Sequence, residues 1–172
     1  MKGAIAVSLQ SMVEKEFGKD KWVNIIKRAG LPANTTFFAH HEIEDKAIMH
    51  VVKSTCEELN ITLEQAADAF GNYWMTEYAP KKYYAFILTV KDAKSFLLKM
   101  NEVHKKITSQ ENATPPKFEF EEKNDNTITM KYISKRNMEV FWIGLIKGVG
   151  NYYKQNIEIK KIETSKVELT FN

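Results

Sequence analysis

A change of period divides this chain in two. Up to about residue 110 the apolar residues recur three and four apart, and after the double proline of ATPP (113–116) they alternate. The first spacing is that of a helix face and the second that of a strand with one buried side. The residue before a proline is disfavoured in the helical region, so the switch falls where the backbone is turned away from helix. Helices first and alternating segments afterwards make an α+β chain with the two kinds of element segregated. Its 172 residues suit a single domain, with a helical lobe over about 1–80 and a second lobe over about 81–172.

Within the first part, residues 3–17 and 20–29 read as helices ended by the break AGLPAN (29–34), and a third helix runs over about 44–58. Thr62 and Gln65 form a capping-box pair opening a fourth helix, ITLEQAADAFGNYWMTEY, which Pro80 stops. Gly71 inside it costs about 1 kcal/mol against Ala, which predicts something bulky packed there. A fifth segment extends from about Tyr83 to Thr108 and is broken near Thr89–Asp92. Beyond the prolines, KFEFEEK and NTITMKYIS are strands joined by a turn at Asn124–Asn126, and NIEIKKIE and KVELTFN are the last two. Between the pairs, residues 137–155 carry Met138, Phe141, Trp142, Leu145, Ile146 and Val149 at helical spacing. The expected fold is an antiparallel four-stranded sheet crossed by one helix, with the helical lobe before it.

Composition removes several functions. The 25 basic and 22 acidic residues are mixed along the chain and form no basic stripe, so no nucleic-acid partner is expected. One cysteine, Cys56, rules out an internal disulfide and a multi-cysteine zinc site; it reads as a small buried hydrophobe. The N-terminus MKGAIAVSLQSMVEKEFG turns charged too soon for a signal peptide, and no run is long enough to cross a bilayer. A cytoplasmic protein with no membrane association is expected.

Two places can carry chemistry. On the strand that ends in KYISKR, Tyr132, Ser134 and Arg136 share the parity of the apolar Ile128 and Met130. A guanidinium on a buried face demands an anion. An internal salt bridge would supply one. So would a ligand with two carboxylates, gripped by three donors that span about 13 Å along one strand face. The second place is His104, which falls in the stripe Phe96, Leu97, Met100, Val103 and Ile107. It fits either a core histidine bonded to a backbone carbonyl or a neutral imidazole offered to a metal or haem iron. A histidine on an apolar helix, a donor-bearing strand and a stiff proline link together match haem, which has an iron, an apolar face and two propionates.

The chain resembles the haem–nitric oxide/oxygen-binding (H-NOX) family, which includes the haem domain of soluble guanylate cyclase. The resemblance is carried by MKGAI at the N-terminus, FGNYW (70–74), NEVH (101–104), ATPP (113–116), YISKR (132–136) and GLIKG (144–148). It implies haem b between the lobes, with His104 as the proximal iron ligand. Tyr132, Ser134 and Arg136 would hold the propionates, and Pro116 would press on the porphyrin. Ile5, Leu9, Trp74, Phe141 and Leu145 align with pocket positions.

The resemblance also implies a use. Oxygen-binding members carry a distal tyrosine where this chain has Phe141, which has no hydroxyl. The pocket is therefore expected to bind nitric oxide, and carbon monoxide more weakly, while rejecting oxygen. The indole N–H of Trp74 is a possible donor, and an oxygen or redox sensor on the same scaffold is the alternative. Nitric oxide would weaken or break the His104–iron bond, and the haem and the lobes would relax. With no effector domain in these 172 residues, the signal would pass to a separate protein, a histidine kinase or diguanylate cyclase as in stand-alone bacterial relatives. No histidine or carboxylate aligns with the pocket, so a sensor and not an enzyme is expected. His40, His41 and His50 are expected on the surface.

Overall fold

Helix α1 (Gly3–Phe17) buries Ala6, Leu9, Met12 and Val13 along one side. That side packs with Trp22, Ile25 and Ile26 of α2 (Lys19–Arg28) and with Ile48, Val51 and Val52 of α3 (Asp45–Leu59). Glu58 ties α2 to α3 by accepting from Lys21 Nζ at 3.0 Å, Asn24 Nδ2 at 3.2 Å and Arg28 Nη2 at 3.3 Å. The computed structural model describes residues 3–108 and 114–172. The expectations for Met1 and Lys2 of MKGAI and for Ala113 of ATPP lie outside the described residues.

The capping box forms as the sequence predicts: the Thr62 hydroxyl accepts from Gln65 N–H at 3.2 Å and the Gln65 amide oxygen accepts from Thr62 N–H at 2.9 Å. It opens α4 (Leu63–Tyr73), which passes into a π-helical turn over Trp74–Tyr78. Pro80 does not stop the helix there. It lies in the first turn of the short α5 (Ala79–Lys82), directly after the π-helical turn, a position where proline is tolerated.

The fifth segment is more broken than expected, giving α6 (Tyr84–Ile87), α7 (Ala93–Leu98) and α8 (Met100–Thr108). The break at residues 88–92 exists because the Asp92 carboxylate caps α7, accepting from Ser95 N–H at 2.8 Å. A further break at Lys99 was not legible. Its N–H is shared between the Ser95 and Phe96 carbonyls at 3.3 and 3.2 Å, a tightening that ends one helix before α8 begins.

Among the described residues, β1 (Lys117–Asn124), β2 (Thr127–Ile133), β3 (Ile157–Glu163) and β4 (Lys166–Phe171) form one antiparallel sheet in the order β1-β2-β4-β3. Its inner face presents Phe118, Ile128, Met130, Tyr132, Val167, Leu169 and Phe171 to a second apolar cluster. Strand β2 ends at Ile133. Ser134 and Arg136 therefore leave the strand, and the expectation of three donors in line on one strand face does not hold. Asn137 takes φ 50°, a left-handed step that delays α9 (Glu139–Tyr153) by two residues from the expected start.

Helix α9 lies between the two clusters, with Phe141 in the helical one and Trp142, Ile146 and Val149 in the sheet one. It meets α4 backbone to backbone. A Cβ on Gly71 would stand 2.1 Å from the Gly144 carbonyl oxygen, and one on Gly144 would stand 2.2 Å from that of Ala67. The bulky neighbour expected at Gly71 is thus another helix backbone. Among the described residues no helix is long and apolar enough to cross a membrane.

Two predictions test this framework. Gly144→Ala drives a methyl into a backbone that cannot yield cheaply, and should cost about 1–3 kcal/mol or more of unfolding free energy in a urea titration. Hydrogen bonding, from Lys21 foremost, holds the Glu58 carboxyl below its ordinary value. The stability it lends is present above the ordinary carboxylate range and is lost as pH falls through the depressed value. Glu58→Gln should therefore flatten the fall of Tm between about pH 6 and pH 3; an equally steep fall would contradict the assigned role.

Candidate functional site

Between the two clusters lies a cavity of about 290 Å³, near the lower end of the ~300–1,000 Å³ that ligand sites span. Two ladders of rings line it. On the sheet side His104 lies 5.7 Å from Phe118, Phe118 is 6.0 Å from Tyr132, and Tyr132 stacks on Trp142 at 5.4 Å. From the helical cluster Phe141 lies 5.9 Å from Phe70 and Phe70 is 5.8 Å from Trp74, which packs against both clusters and lies 6.3 Å from Tyr83 on the sheet-side one.

The stripe predicted around His104 faces this cavity: Phe96, Leu97, Met100, Val103, His104 and Ile107 all line it. Burial pushes the imidazole below its ordinary pKa, opposed by the Pro116 carbonyl. The ring is therefore neutral at pH 7. Its Nδ1 lies 3.4 Å from the Pro116 carbonyl oxygen. A carbonyl only accepts, so Nδ1 holds the proton and Nε2 keeps its lone pair. Helix α8 is fixed against β1 by Asn101, whose side chain donates to the Phe118 carbonyl at 2.7 Å and accepts from Phe118 N–H at 2.9 Å. No role for Asn101 was read from the sequence, since an asparagine three residues before the histidine gives no local sign of a long-range partner.

Arg136 lines the cavity beside Tyr132. Its Nε donates to the Asp45 carboxylate at 2.8 Å and its Nη1 to the Thr114 carbonyl at 2.6 Å. The internal ion pair weighed as one possibility thus exists, and the guanidinium keeps further N–H groups for an anion. Ser134 is not on the cavity wall. Its hydroxyl accepts from the Arg136 backbone N–H at 3.2 Å, so it shapes the turn that brings the guanidinium round. Burial raises the Tyr132 phenol above its ordinary pKa, with the Ser134 hydroxyl opposing.

Of the other expected pocket residues, Ile5, Trp74, Pro116, Phe141 and Leu145 line the cavity. Leu9 does not; it is 4% exposed in the packed helical core, one turn of α1 beyond Ile5. Glu42 does reach the wall, which corrects the expectation of no carboxylate there. The loop bearing it is bonded to α1, with Gly3 N–H donating to the His41 carbonyl at 2.8 Å. Tyr83 also lines the cavity and was missed, because its helix break hid its direction. His40, His41 and His50 are exposed, and no cluster of metal-ligating side chains occurs among the described residues.

A family model described as haem-NO-binding matches residues 2–161, and the chain belongs to that family. Its structure is similar to a Cs H-NOX mutant with 4-cyano-L-phenylalanine at site 5 (TM-score 0.90, 22% identity, 100% of this chain and 97% of that one). An oxygen-binding H-NOX domain related to soluble guanylate cyclases matches with TM-score 0.86 at 22% identity over 100% of this chain and 95% of that one. In sequence it resembles the soluble guanylate cyclase gcy-32 of Caenorhabditis elegans, 23% identical over 140 residues, which are 79% of this chain and 20% of that protein. The chain thus spans about a fifth of that relative's length.

The cavity fits the haem that H-NOX domains bind. It offers an imidazole with a free Nε2, apolar walls on both sides and a guanidinium at its rim. Removing the Asn101 side chain should loosen α8: Asn101→Ala strands the Phe118 N–H and carbonyl at a cost of about 1–3 kcal/mol. Hydrogen exchange at the Phe118 amide would report it, and unchanged protection would refute the clamp.

Proposed function

We propose that this H-NOX domain senses nitric oxide at ferrous haem b held by His104, and signals to a separate protein. The observation that carries the proposal is a neutral imidazole, with its proton directed to Pro116, on the wall of an apolar cavity between two lobes. When bound, ferrous haem supplies an iron with an open position for a diatomic gas. His104 supplies the tether, and Tyr132 and Arg136 receive the carboxylates. Ile5, Phe70, Phe141 and Leu145 keep the opposite wall dry and present no donor. An apolar wall suits nitric oxide, with carbon monoxide held more weakly. It gives bound oxygen little stabilisation.

A change in the pull on His104 is carried by α8 through the two Asn101 hydrogen bonds into β1. The Arg136–Asp45 pair joins the same region to the first turn of α3. These links connect the site to both lobes. Drawn from the resemblance, the receiving protein is a histidine kinase or diguanylate cyclase, in the cytoplasm of a bacterium. We read the domain as a sensor without catalysis of its own. An oxygen sensor is the second possibility, favoured by the donors of Trp74 and Tyr83 on the wall.

Absorption spectra of the reduced, haem-loaded protein test the proposal. They should show five-coordinate ferrous haem, no stable change in air, and a nitric oxide form lacking the histidine ligand. A persistent oxygen spectrum would favour the second possibility. His104→Gly should lose the histidine ligand and regain it with added imidazole. Arg136→Ala should lose haem faster to apomyoglobin. Normal ligation and retention in both variants would remove the site assignment.

A further inference from the structure

We infer that the outer face of α6, where Tyr84 and Leu88 stand among lysines, is the docking surface for a separate protein that presents an apolar recess edged by carboxylates. The inference rests on the sensor reading above and adds to it where the partner sits. Tyr84 is 61% and Leu88 68% exposed, more than any other large apolar side chain among the described residues. Leu88 N–H donates to the Tyr84 carbonyl at 2.9 Å, closing one helical turn, so the two side chains share a face.

The fold makes no use of that face. The other side of the same turn is anchored: Ile87 is buried in the sheet-side cluster, and its carbonyl accepts from the Tyr153 hydroxyl at 3.4 Å. Tyr83, Phe86 and Ile87 line the cavity. One turn of helix therefore separates the cavity wall from two apolar side chains in water. Single exposed apolar residues are ordinary, whereas an adjoining pair rimmed by charge of one sign marks a contact surface.

The rim defines the chemistry of the partner. From Tyr78 to Lys91 the chain has three lysines and no Asp or Glu, although acidic and basic residues nearly balance overall. Lys81 is engaged by Glu77 at 3.2 Å. Lys82 and Lys91 are exposed and have no carboxylate partner among the described residues. Their charge is left for carboxylates on the partner, which steer it to the patch and fix its orientation. A bilayer is the poorer fit, because membrane binding scales with buried apolar area and this face offers two side chains.

The test uses the haem-loaded protein in its reduced carbon monoxide form. The probes are a synthetic amphipathic helical peptide whose leucine face is edged by glutamates, its twin edged by lysines, and vesicles of phosphatidylcholine with phosphatidylserine. In amide NMR the glutamate-edged peptide should shift signals of residues 81–91, less so as salt is raised, and the lysine-edged twin should leave them in place. Tyr84→Ser combined with Leu88→Ser should weaken binding about tenfold with the haem absorption unchanged. Lys82→Glu combined with Lys91→Glu should exchange the preference between the peptides. No binding of the glutamate-edged peptide, equal binding by the serine variant, or shifts confined to other residues overturns the inference. So does a serine variant that loses only vesicle binding, which would make the face a membrane contact. Should the serine variant not load haem, an unchanged preference in the charge-reversed variant overturns it equally. A wild type that takes up no haem defeats the sensor reading; normal uptake with peptide binding indifferent to both variants defeats only the docking surface.

Discussion

The backbone contact of α4 with α9 sets the frame for everything else in this molecule. Three glycines make it: a Cβ on Gly71, Gly144 or Gly148 would come within 2.2 Å of a carbonyl oxygen of the facing helix. Helices that approach this closely leave no slack between the lobes, because neither surface can compress. Helix α9 therefore serves both cores at once, giving Phe141 to one and Trp142 to the other. The cavity opens beside this joint, and its second ladder of rings crosses from the helical core to the sheet-side one at Trp74.

Charge is handled at the rim and kept out of the walls. Arg136 bridges from the turn after β2 to Asp45 and to the carbonyl of Thr114. Burial works against ionising Asp45, and charge-assisted hydrogen bonds, one from Arg136, nevertheless hold its pKa below the ordinary value. A guanidinium secured in this way is already oriented when an anionic ligand arrives, so less freedom is lost on binding. His104 follows the opposite logic. Among the described residues it has no charged partner, burial keeps it neutral, and one carbonyl decides which nitrogen holds the proton.

Much of this was legible along the chain. Thr62 and Gln65 announced the start of α4 because a capping box is local chemistry. The alternation in KFEFEEK and ITMKYI announced β1 and β2 because a strand with one buried face has to alternate. The stripe around His104 was read correctly even across the unexpected break at Lys99. What misled was continuity. The parity of Tyr132, Ser134 and Arg136 predicts strand throughout, whereas β2 ends at Ile133 and a turn carries the guanidinium onward. Leu9 was placed with Ile5, yet one turn of helix is enough to move a side chain from the cavity wall into a packed core.

The sequence by itself determined the α+β order, the apolar faces and the residue types able to ligate iron and grip carboxylates, since periodicity and capping depend on neighbours a few positions away. Only the tertiary structure decided that Gly71 faces Gly144, that Asn101 clamps Phe118, that Arg136 meets Asp45 and that Tyr83 turns inward. Those contacts join residues far apart in the chain or depend on where a helix breaks, and both are settled only when the lobes pack against each other.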